Sequence, residues 1–102
     1  MSGDDIIGII RAHEGELRAA GIQSLSLVGS FARGDQHEGS DVDVLVRLTD
    51  DPNRHGFRYF GWIEELTRKL ETIVKRPVDI ITEPVRNERL RREITEDRRL
   101  AF

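Results

Sequence analysis

The sequence contains no cysteine among its 102 residues. This absence excludes disulfide bonds and metal sites built on thiolates, and it agrees with a cytoplasmic location. No apolar run approaches the ~18 residues that a membrane-spanning helix needs, so we expect no membrane association. The N-terminal stretch MSGDDIIGII is acidic and has no basic region ahead of its apolar residues, which argues against a signal peptide.

The charge balance gives little support to nucleic acid as a direct ligand. The net charge is −3, and no basic run is interleaved with aromatic residues. The charge is uneven, because residues 1–51 carry 10 acidic and 4 basic side chains whereas residues 52–102 carry 9 acidic and 12 basic ones. Two interpretations explain this asymmetry equally well. Either the charges belong to a solvated helical surface, or the acidic half binds cations and the basic half meets an anion or an acidic partner.

Length and periodicity predict one domain over residues 1–102, of the α/β (α+β) class, with the element order αβαβαβα. No repeat or linker divides the chain, and the order favours a sheet covered by helices on at least one face. The predicted helices span residues 4–20, 57–74 and 85–99, with a helical turn over 30–34. The predicted strands span 23–29, 41–48 and 78–82, with a short edge strand at 100–102 and a loop over 48–56.

Three aspartates are placed to meet at one edge of this sheet. Asp41 and Asp43 are two residues apart, so both lie on the same face of their predicted strand, and Asp79 lies on the third strand. If the two strands are neighbours with aligned ends, the three carboxylates converge and raise one another's pKa. A divalent cation relieves that repulsion, and a ligand set made only of oxygen favours Mg²⁺. Turn capping at the strand entry is the alternative interpretation of Asp41 and Asp43.

A Gly-Ser pair has the features of a phosphate site. Gly29 closes a strand and has no side chain, so a phosphate can approach the backbone there. Ser30 begins the helical turn, where its hydroxyl and the first N–H groups can hold phosphate oxygens. Arg33 lies one turn further and is, with equal weight, an anion contact or an ordinary surface cation. A polyphosphate beside two metal ions is the arrangement that nucleotidyl transfer requires.

The stretch GSFARGDQHEGSDVDVLV resembles the Gly-Ser-x10-Asp-x-Asp signature of the DNA polymerase β-like nucleotidyltransferase superfamily, and more narrowly its minimal nucleotidyltransferase (MNT) antitoxins. The resemblance covers essentially the whole chain and implies a nucleotidyltransferase fold with a small mixed sheet of three or four strands. It implies two Mg²⁺ ions as cofactors and ATP as substrate. The implied catalytic and metal-binding residues are Asp41, Asp43 and Asp79. The implied nucleotide-binding residues are Gly29, Ser30, Arg33 and Ser40.

The same resemblance implies a protein partner. Because the chain ends soon after Asp79, we expect the acceptor to come with another molecule. MNT antitoxins pair with HEPN-family toxin ribonucleases, which implies transfer of AMP to a toxin tyrosine, adding charge and bulk where RNA must bind. Two alternatives stay open: a domain that silences its toxin by occlusion alone, and a subunit that modifies a small molecule or nucleic acid delivered by a partner. The arginine-rich segment 86–99 is either a solvated helix or a surface that docks the partner.

Overall fold

The computed structural model describes residues 1–49 and 57–102, with only the backbone at positions 57 and 58. The predicted loop over 48–56 lies, apart from its first two residues, outside the described residues. None of the helices in the described ranges is both long and apolar enough to cross a membrane. The elements in chain order are α1 (Gly3–Ala12), α2 (Glu14–Ala19), β1 (Ile22–Val28), α3 (Gly29–Arg33), β2 (Val42–Leu48), α4 (Phe57–Val74), β3 (Val78–Thr82), α5 (Glu88–Asp97) and β4 (Arg99–Leu100).

A four-stranded mixed sheet in the order β3-β2-β1-β4 organises these elements, which confirms the predicted fold class. β1 pairs antiparallel with β2 and with β4, whereas β2 and β3 run parallel. Side chains alternate along β2, so Val42, Val44 and Val46 share one face and are fully buried, while Asp43 and Leu45 share the other. The sheet therefore has one apolar face and one face with a carboxylate at the strand entry.

Helices α1 and α4 cover the apolar face and form the main core. Ile6 and Ile10 of α1 are four residues apart, as are Leu66 and Leu70 of α4, and each of these side chains is at most 1% exposed. This spacing places each pair on one side of its helix. Burial of an aliphatic side chain of this size stabilises a fold by about 1.5–3 kcal/mol, so the apolar periodicity accounts for both helices.

The predicted helix over 4–20 is wrong in one respect, because the helix is interrupted at His13. Ser2 begins α1 with a capping box, in which its hydroxyl accepts a hydrogen bond from the Asp5 N–H and the Asp5 carboxylate accepts one from the Ser2 N–H. The His13 N–H donates to the carbonyl of Ile10, three residues back, and this tighter turn ends α1. Helix α2 follows at once and buries Leu17 completely.

Helix α5 lies on the opposite face of the sheet, the face that carries Asp43, and packs against β1 and β2. Asn87 caps it by accepting a hydrogen bond from the Leu90 N–H, so the helix begins later than the predicted residue 85. Ile94 is the buried residue of α5, and it packs against Val28 of β1. The chain then pairs with β1 through β4, a residue earlier than the predicted edge strand.

Candidate functional site

Strand register brings two of the three predicted aspartates side by side. In the β2–β3 pair Asp43 lies directly opposite Asp79, and in the β1–β2 pair it lies opposite Val28. Neighbouring strands are about 4.8 Å apart, so the two aspartate backbones are separated by roughly that distance. Asp41 precedes β2 and is exposed, two residues before Asp43. The three aspartates thus lie at one end of β2 and β3.

Gly29 closes the site on the β1 side, and its backbone explains why glycine occupies this position. β1 ends at Val28, and Gly29 has a φ of 75°, a conformation that residues with a Cβ rarely adopt. A Cβ built on Gly29 would collide with the Asp43 carboxylate. The glycine therefore allows the chain to turn from β1 into α3 directly against Asp43.

Excess negative charge dominates the electrostatics of this cluster. The pKa of Asp43 is raised, first by burial and then by repulsion from Asp79 and Asp41, while Arg33 opposes the shift weakly. Within residues 1–49 and 57–102, no group donates a hydrogen bond to the three carboxylates. Burial without a compensating donor is costly, so this pattern is typical of a functional cluster.

The donor chemistry of the cluster fits a hard divalent cation, since it offers only carboxylate oxygens. The side chains do not form a complete cage: in the part of the chain that the structure describes, no three His, Asp or Glu side chains are grouped as metal ligands. Asp41 and Asp79 are exposed, so their side chains can change rotamer at small cost. Binding of a cation thus requires the carboxylates to close around it.

The two predicted serines have different surroundings. Ser30 is half-buried in α3, and its carbonyl accepts hydrogen bonds from the N–H groups of Gly34 and Asp35. Ser40 is 9% exposed, and its Oγ accepts from the His37 N–H at 2.9 Å. That bond orders the loop that leads to Asp41, and the Ser40 hydroxyl proton is left for another acceptor. Nucleotide contacts by both serines stay predictions.

Arg33 is engaged by two carboxylates of its own chain. Its Nη1 lies 2.9 Å from the carboxylate of Asp97 in α5, and its Nε lies 3.1 Å from that of Asp35. These bonds, chiefly the one to Asp97, raise the pKa of the guanidinium. A phosphate would therefore have to compete with Asp97 and Asp35 for Arg33.

Sequence reasoning missed the contribution of α5 to the site. A cavity beside Asp43 has one wall from the sheet and one from α5, which supplies Leu90, Glu93, Ile94 and Asp97. These four residues follow i, i+3, i+4, i+7 spacing and so lie on one helix face. Leu90 and Ile94 are visible in the sequence as a thin apolar face, but the interleaved acids concealed that the face turns towards Asp43.

Arg76 is a second residue that the sequence did not single out. Its guanidinium lies over the ring of Phe31 at 5.4 Å and reaches the Glu38 carbonyl at 3.4 Å. Phe31 belongs to α3 and Glu38 to the loop before Asp41, so Arg76 ties together the two segments that frame the carboxylates. In the sequence, only the position of Arg76 just before the predicted strand β3 could have indicated that it lies near the site.

Comparison with protein families matches residues 10–101 to the nucleotidyltransferase domain model. Among curated proteins, one from Methanocaldococcus jannaschii with the provisional name protein adenylyltransferase is 37% identical over 79 residues, 76% of this chain and 85% of that protein. The protein adenylyltransferase MntA of Thermococcus cleftensis is 34% identical over 79 residues, 76% of this chain and 74% of its own length.

Solved structures share the architecture. A protein provisionally described as a minimal nucleotidyltransferase superposes with a TM-score of 0.74 at 25% identity, over 97% of this chain and 95% of that one. A chain in the complex of the tri-AMPylated Shewanella oneidensis HEPN toxin with its MNT antitoxin gives a TM-score of 0.55 at 19% identity, over 98% of this chain and 68% of that one. The latter likeness concerns the fold alone.

Proposed function

Because this chain belongs to the nucleotidyltransferase domain family, as a minimal nucleotidyltransferase, we propose that it moves AMP from ATP to a tyrosine hydroxyl of a cognate HEPN-type toxin and so acts as its antitoxin. The enzyme class predicted from the sequence, an adenylyltransferase, is confirmed by the family model and the curated relatives. The acceptor, the partner and the metal are the parts that we propose.

The observation that carries the proposal is the alignment of Asp43 with Asp79, with Gly29 packed against the Asp43 carboxylate. A purely occluding scaffold has no use for aligned carboxylates that repel one another and that accept no hydrogen bond from residues 1–49 or 57–102. A metal-dependent transferase needs such a group, because it must hold cations beside a polyphosphate. The alignment therefore favours catalysis over occlusion.

We propose that Asp41, Asp43 and Asp79 hold two Mg²⁺ ions. Oxygen ligands and a local excess of negative charge support this choice of metal. Bound Mg²⁺ would neutralise the triphosphate and the carboxylates. Asp79, exposed near the start of β3, is the residue that we propose to accept the proton of the attacking hydroxyl. The acceptor oxygen forms a bond to the α-phosphorus, and the bond to pyrophosphate breaks.

For the nucleotide, we propose contacts from Gly29, Ser30, Arg33 and Ser40. Gly29 leaves room for a phosphate at the backbone, and Ser30 and Ser40 offer hydroxyl protons. Arg33 contributes once it leaves Asp97. A guanidinium binds phosphate as well as carboxylate in bidentate fashion, and the triphosphate of ATP carries more negative charge than a single carboxylate.

We further propose that residues 1–102 act as one domain in the cytoplasm, where ATP is available. The family model spans 10–101, which supports the domain assignment. The named activity of the relatives, protein adenylylation, supports a protein acceptor. A tyrosine in a toxin's RNA site suits the antitoxin role, because a phosphodiester there adds charge and bulk that oppose RNA binding.

The test combines this chain with a candidate HEPN-type partner from the same genome, Mg²⁺, and ATP labelled at either the α- or the γ-phosphate. We expect the α-label alone to reach the partner, and peptide mass spectrometry to locate it on tyrosine. Asp43→Asn and Asp79→Asn should reduce labelling at least ~100-fold. Glu38→Gln is the matched control, since it removes an exposed carboxylate next to the site and should leave labelling unchanged.

The alternatives have distinct outcomes in the same assay. A toxin that is silenced equally by the Asp43→Asn chain, with no label on either protein, would establish occlusion and refute the proposal. Label on a small molecule or nucleic acid added with the partner would establish a different acceptor. Transfer that persists in EDTA would exclude the proposed dependence on Mg²⁺.

A further inference from the structure

A second cavity lies further along the face of the sheet that α5 covers. Its volume is about 300 Å³, at the lower end of the range for pockets that bind small ligands, so it suits one or two side chains. Leu45 of its wall is two residues beyond Asp43 on the same face of β2, about 7 Å from it. Of its described lining residues, only Ile94 also borders the cavity beside Asp43, and none is proposed to bind Mg²⁺ or ATP. The second cavity is therefore separate from the carboxylate cluster.

The inner wall of this second cavity is apolar. Leu45 of the sheet and Ile94 of α5 are 3% and 6% exposed, respectively. Pro84 and Val85, which follow β3, form the adjoining side. An apolar wall that opens to solvent favours an apolar side chain of a ligand, because contact with the wall removes the apolar surfaces of both from water.

The carboxylate of the second cavity is already neutralised. Among the lining residues that the structure describes, only Glu83 is acidic, and its oxygens lie 2.8 Å from Nη2 of Arg47 and 3.4 Å from Nη1 of Arg98. The Nε of Arg98 also donates to the Oγ of Ser26 at 2.8 Å, and Ser26 is fully buried. Arg98 is therefore held in place, and Glu83 offers little repulsion to a second carboxylate.

Arg91, on the α5 side of the second cavity, has no such partner. Within residues 1–49 and 57–102, no carboxylate forms an ion pair with its guanidinium, and its side chain makes no hydrogen bond. Arg47, Arg91 and Arg98 around the single Glu83 leave an excess of positive charge, although the net charge of the chain is −3. This excess attracts an anion, and a guanidinium binds a carboxylate through two parallel hydrogen bonds.

We propose that the second cavity is a docking site for an acidic segment of the protein acceptor, which inserts an apolar side chain against Leu45 and Ile94 and pairs a neighbouring carboxylate with Arg91. The inference rests on the proposed function, which supplies a protein as the occupant. Arg91 and Thr95 at the cavity are exposed, so an occupant can belong to a larger molecule. A nucleic acid is disfavoured, because its affinity comes from many phosphate contacts and not from an apolar wall.

Docking at the second cavity would tether the acceptor close to Asp43 without competing for the nucleotide. Such a tether raises the effective concentration of the acceptor at the reacting groups, whichever of its hydroxyls receives AMP. Arg91 is thus a residue that determines the choice of partner and has no part in the transfer itself.

The first test uses the capped dipeptide N-acetyl-Leu-Glu-amide, so it requires neither partner, metal nor ATP. We expect saturable amide shifts in ¹H–¹⁵N NMR spectra at Val85, Arg91 and Thr95, with half-saturation in the millimolar range. The Leu-Gln and Gly-Glu analogues, which lack the carboxylate and the apolar side chain, should each bind about tenfold more weakly. Arg91→Gln should weaken binding of the Leu-Glu dipeptide to the same degree. Arg92→Gln removes an exposed arginine that does not line the cavity and should preserve binding.

The second test measures AMP transfer to the partner. Arg91→Gln should raise the KM for the partner about tenfold and leave the KM for ATP unchanged, whereas Arg92→Gln should alter neither. Thr95→Trp, which places bulk at the exposed edge of the cavity, should act like Arg91→Gln. Melting temperatures show whether each variant remains folded. If the wild-type chain transfers AMP and Arg91→Gln does so with an unchanged KM for the partner, the docking site is overturned.

The two proposals fail in different ways. Absence of any AMP transfer by the wild-type chain, with the Leu-Glu dipeptide still bound at Val85 and Arg91, overturns the proposed function and leaves a docking site for acidic peptides. Shifts elsewhere on the protein, or no shifts, overturn the docking site whatever the transfer assay shows. Acetate that binds as tightly as the dipeptide also overturns it, because the cavity would then hold a free carboxylate. An RNA oligonucleotide that shifts these amides in preference to the dipeptide has the same consequence.

Discussion

Replacing Asp43 with asparagine should make the metal-free protein more stable while abolishing its activity. Asp43 faces Asp79 across neighbouring strands, about 5 Å away, and two full charges at that separation repel by about 3 kcal/mol at an effective dielectric constant near 20. Because Asp79 is exposed, water and salt reduce this repulsion. We therefore expect Asp43→Asn to raise the free energy of unfolding by about 1 kcal/mol at pH 7.

The sign of the pH dependence follows from the raised pKa of Asp43. The folded state binds this proton more tightly than the unfolded state, so the Asp43 contribution to stability falls as pH rises from the ordinary value of 3.8 through the raised one. The difference in free energy of unfolding between Asp43→Asn and the wild type should therefore be greatest at neutral pH and vanish towards pH 3.8. Because Asp43→Asn has no titrating group at this position, its stability lacks this contribution to the pH dependence.

Thermal unfolding in EDTA and in Mg²⁺ measures both effects. In EDTA we expect the melting temperature of Asp43→Asn to exceed that of the wild type by about 4–8 °C. Mg²⁺ should stabilise the wild type, by about 2.7 kcal/mol at a hundred times its Kd, and the variant much less. Glu64→Gln, which removes an exposed carboxylate from α4, controls for net charge. A variant that melts at or below the wild-type temperature in EDTA would falsify the repulsion argument.

Two further substitutions examine neighbouring features. Gly34→Ala should lower the free energy of unfolding by about 1–2 kcal/mol, because a side chain is strained at its positive φ even though the Cβ contacts nothing. Gly29→Ala should lower it more, because its Cβ also collides with Asp43. Equal losses of stability for the two variants in chemical denaturation would contradict the collision. Asp97→Asn should cost less than about 1 kcal/mol and lower the KM for ATP by releasing Arg33 from its ion pair; an unchanged KM would identify Arg33 as a surface cation.

The residues at the strand entries were predictable because they depend on local patterns. Alternation along β2 identified Val42, Val44 and Val46 as buried, and it placed Asp43 on the other face. Periodicity likewise located α4 over 57–74 and β3 over 78–82. The pairing of Asp43 with Asp79 could be predicted only on the condition that β2 and β3 are parallel neighbours. That condition depends on the arrangement of the whole sheet, which local patterns do not determine.

The features that the sequence did not reveal depend on contacts between distant segments. Arg33 and Asp97 are 64 residues apart, and only the packing of α5 on the sheet brings them together. The same packing turns Leu90 and Glu93 towards Asp43, although an arginine-rich helix with few apolar residues is typical of a solvated surface. Helix α1 ends at His13 because the His13 N–H bonds to the carbonyl three residues back and not four. The two geometries are close, and residue preferences do not distinguish them.

The opposed aspartates also have a consequence for how the chain finds its native pairing. Sliding β3 by a single position along β2 would turn Asp79 into the layer occupied by Val44 and Val46, where a lone carboxylate has no solvent. The misaligned state is thereby penalised far more than the native one is by mutual repulsion. The two aspartates for which we propose a catalytic role thus also disfavour misaligned strand pairing during sheet assembly.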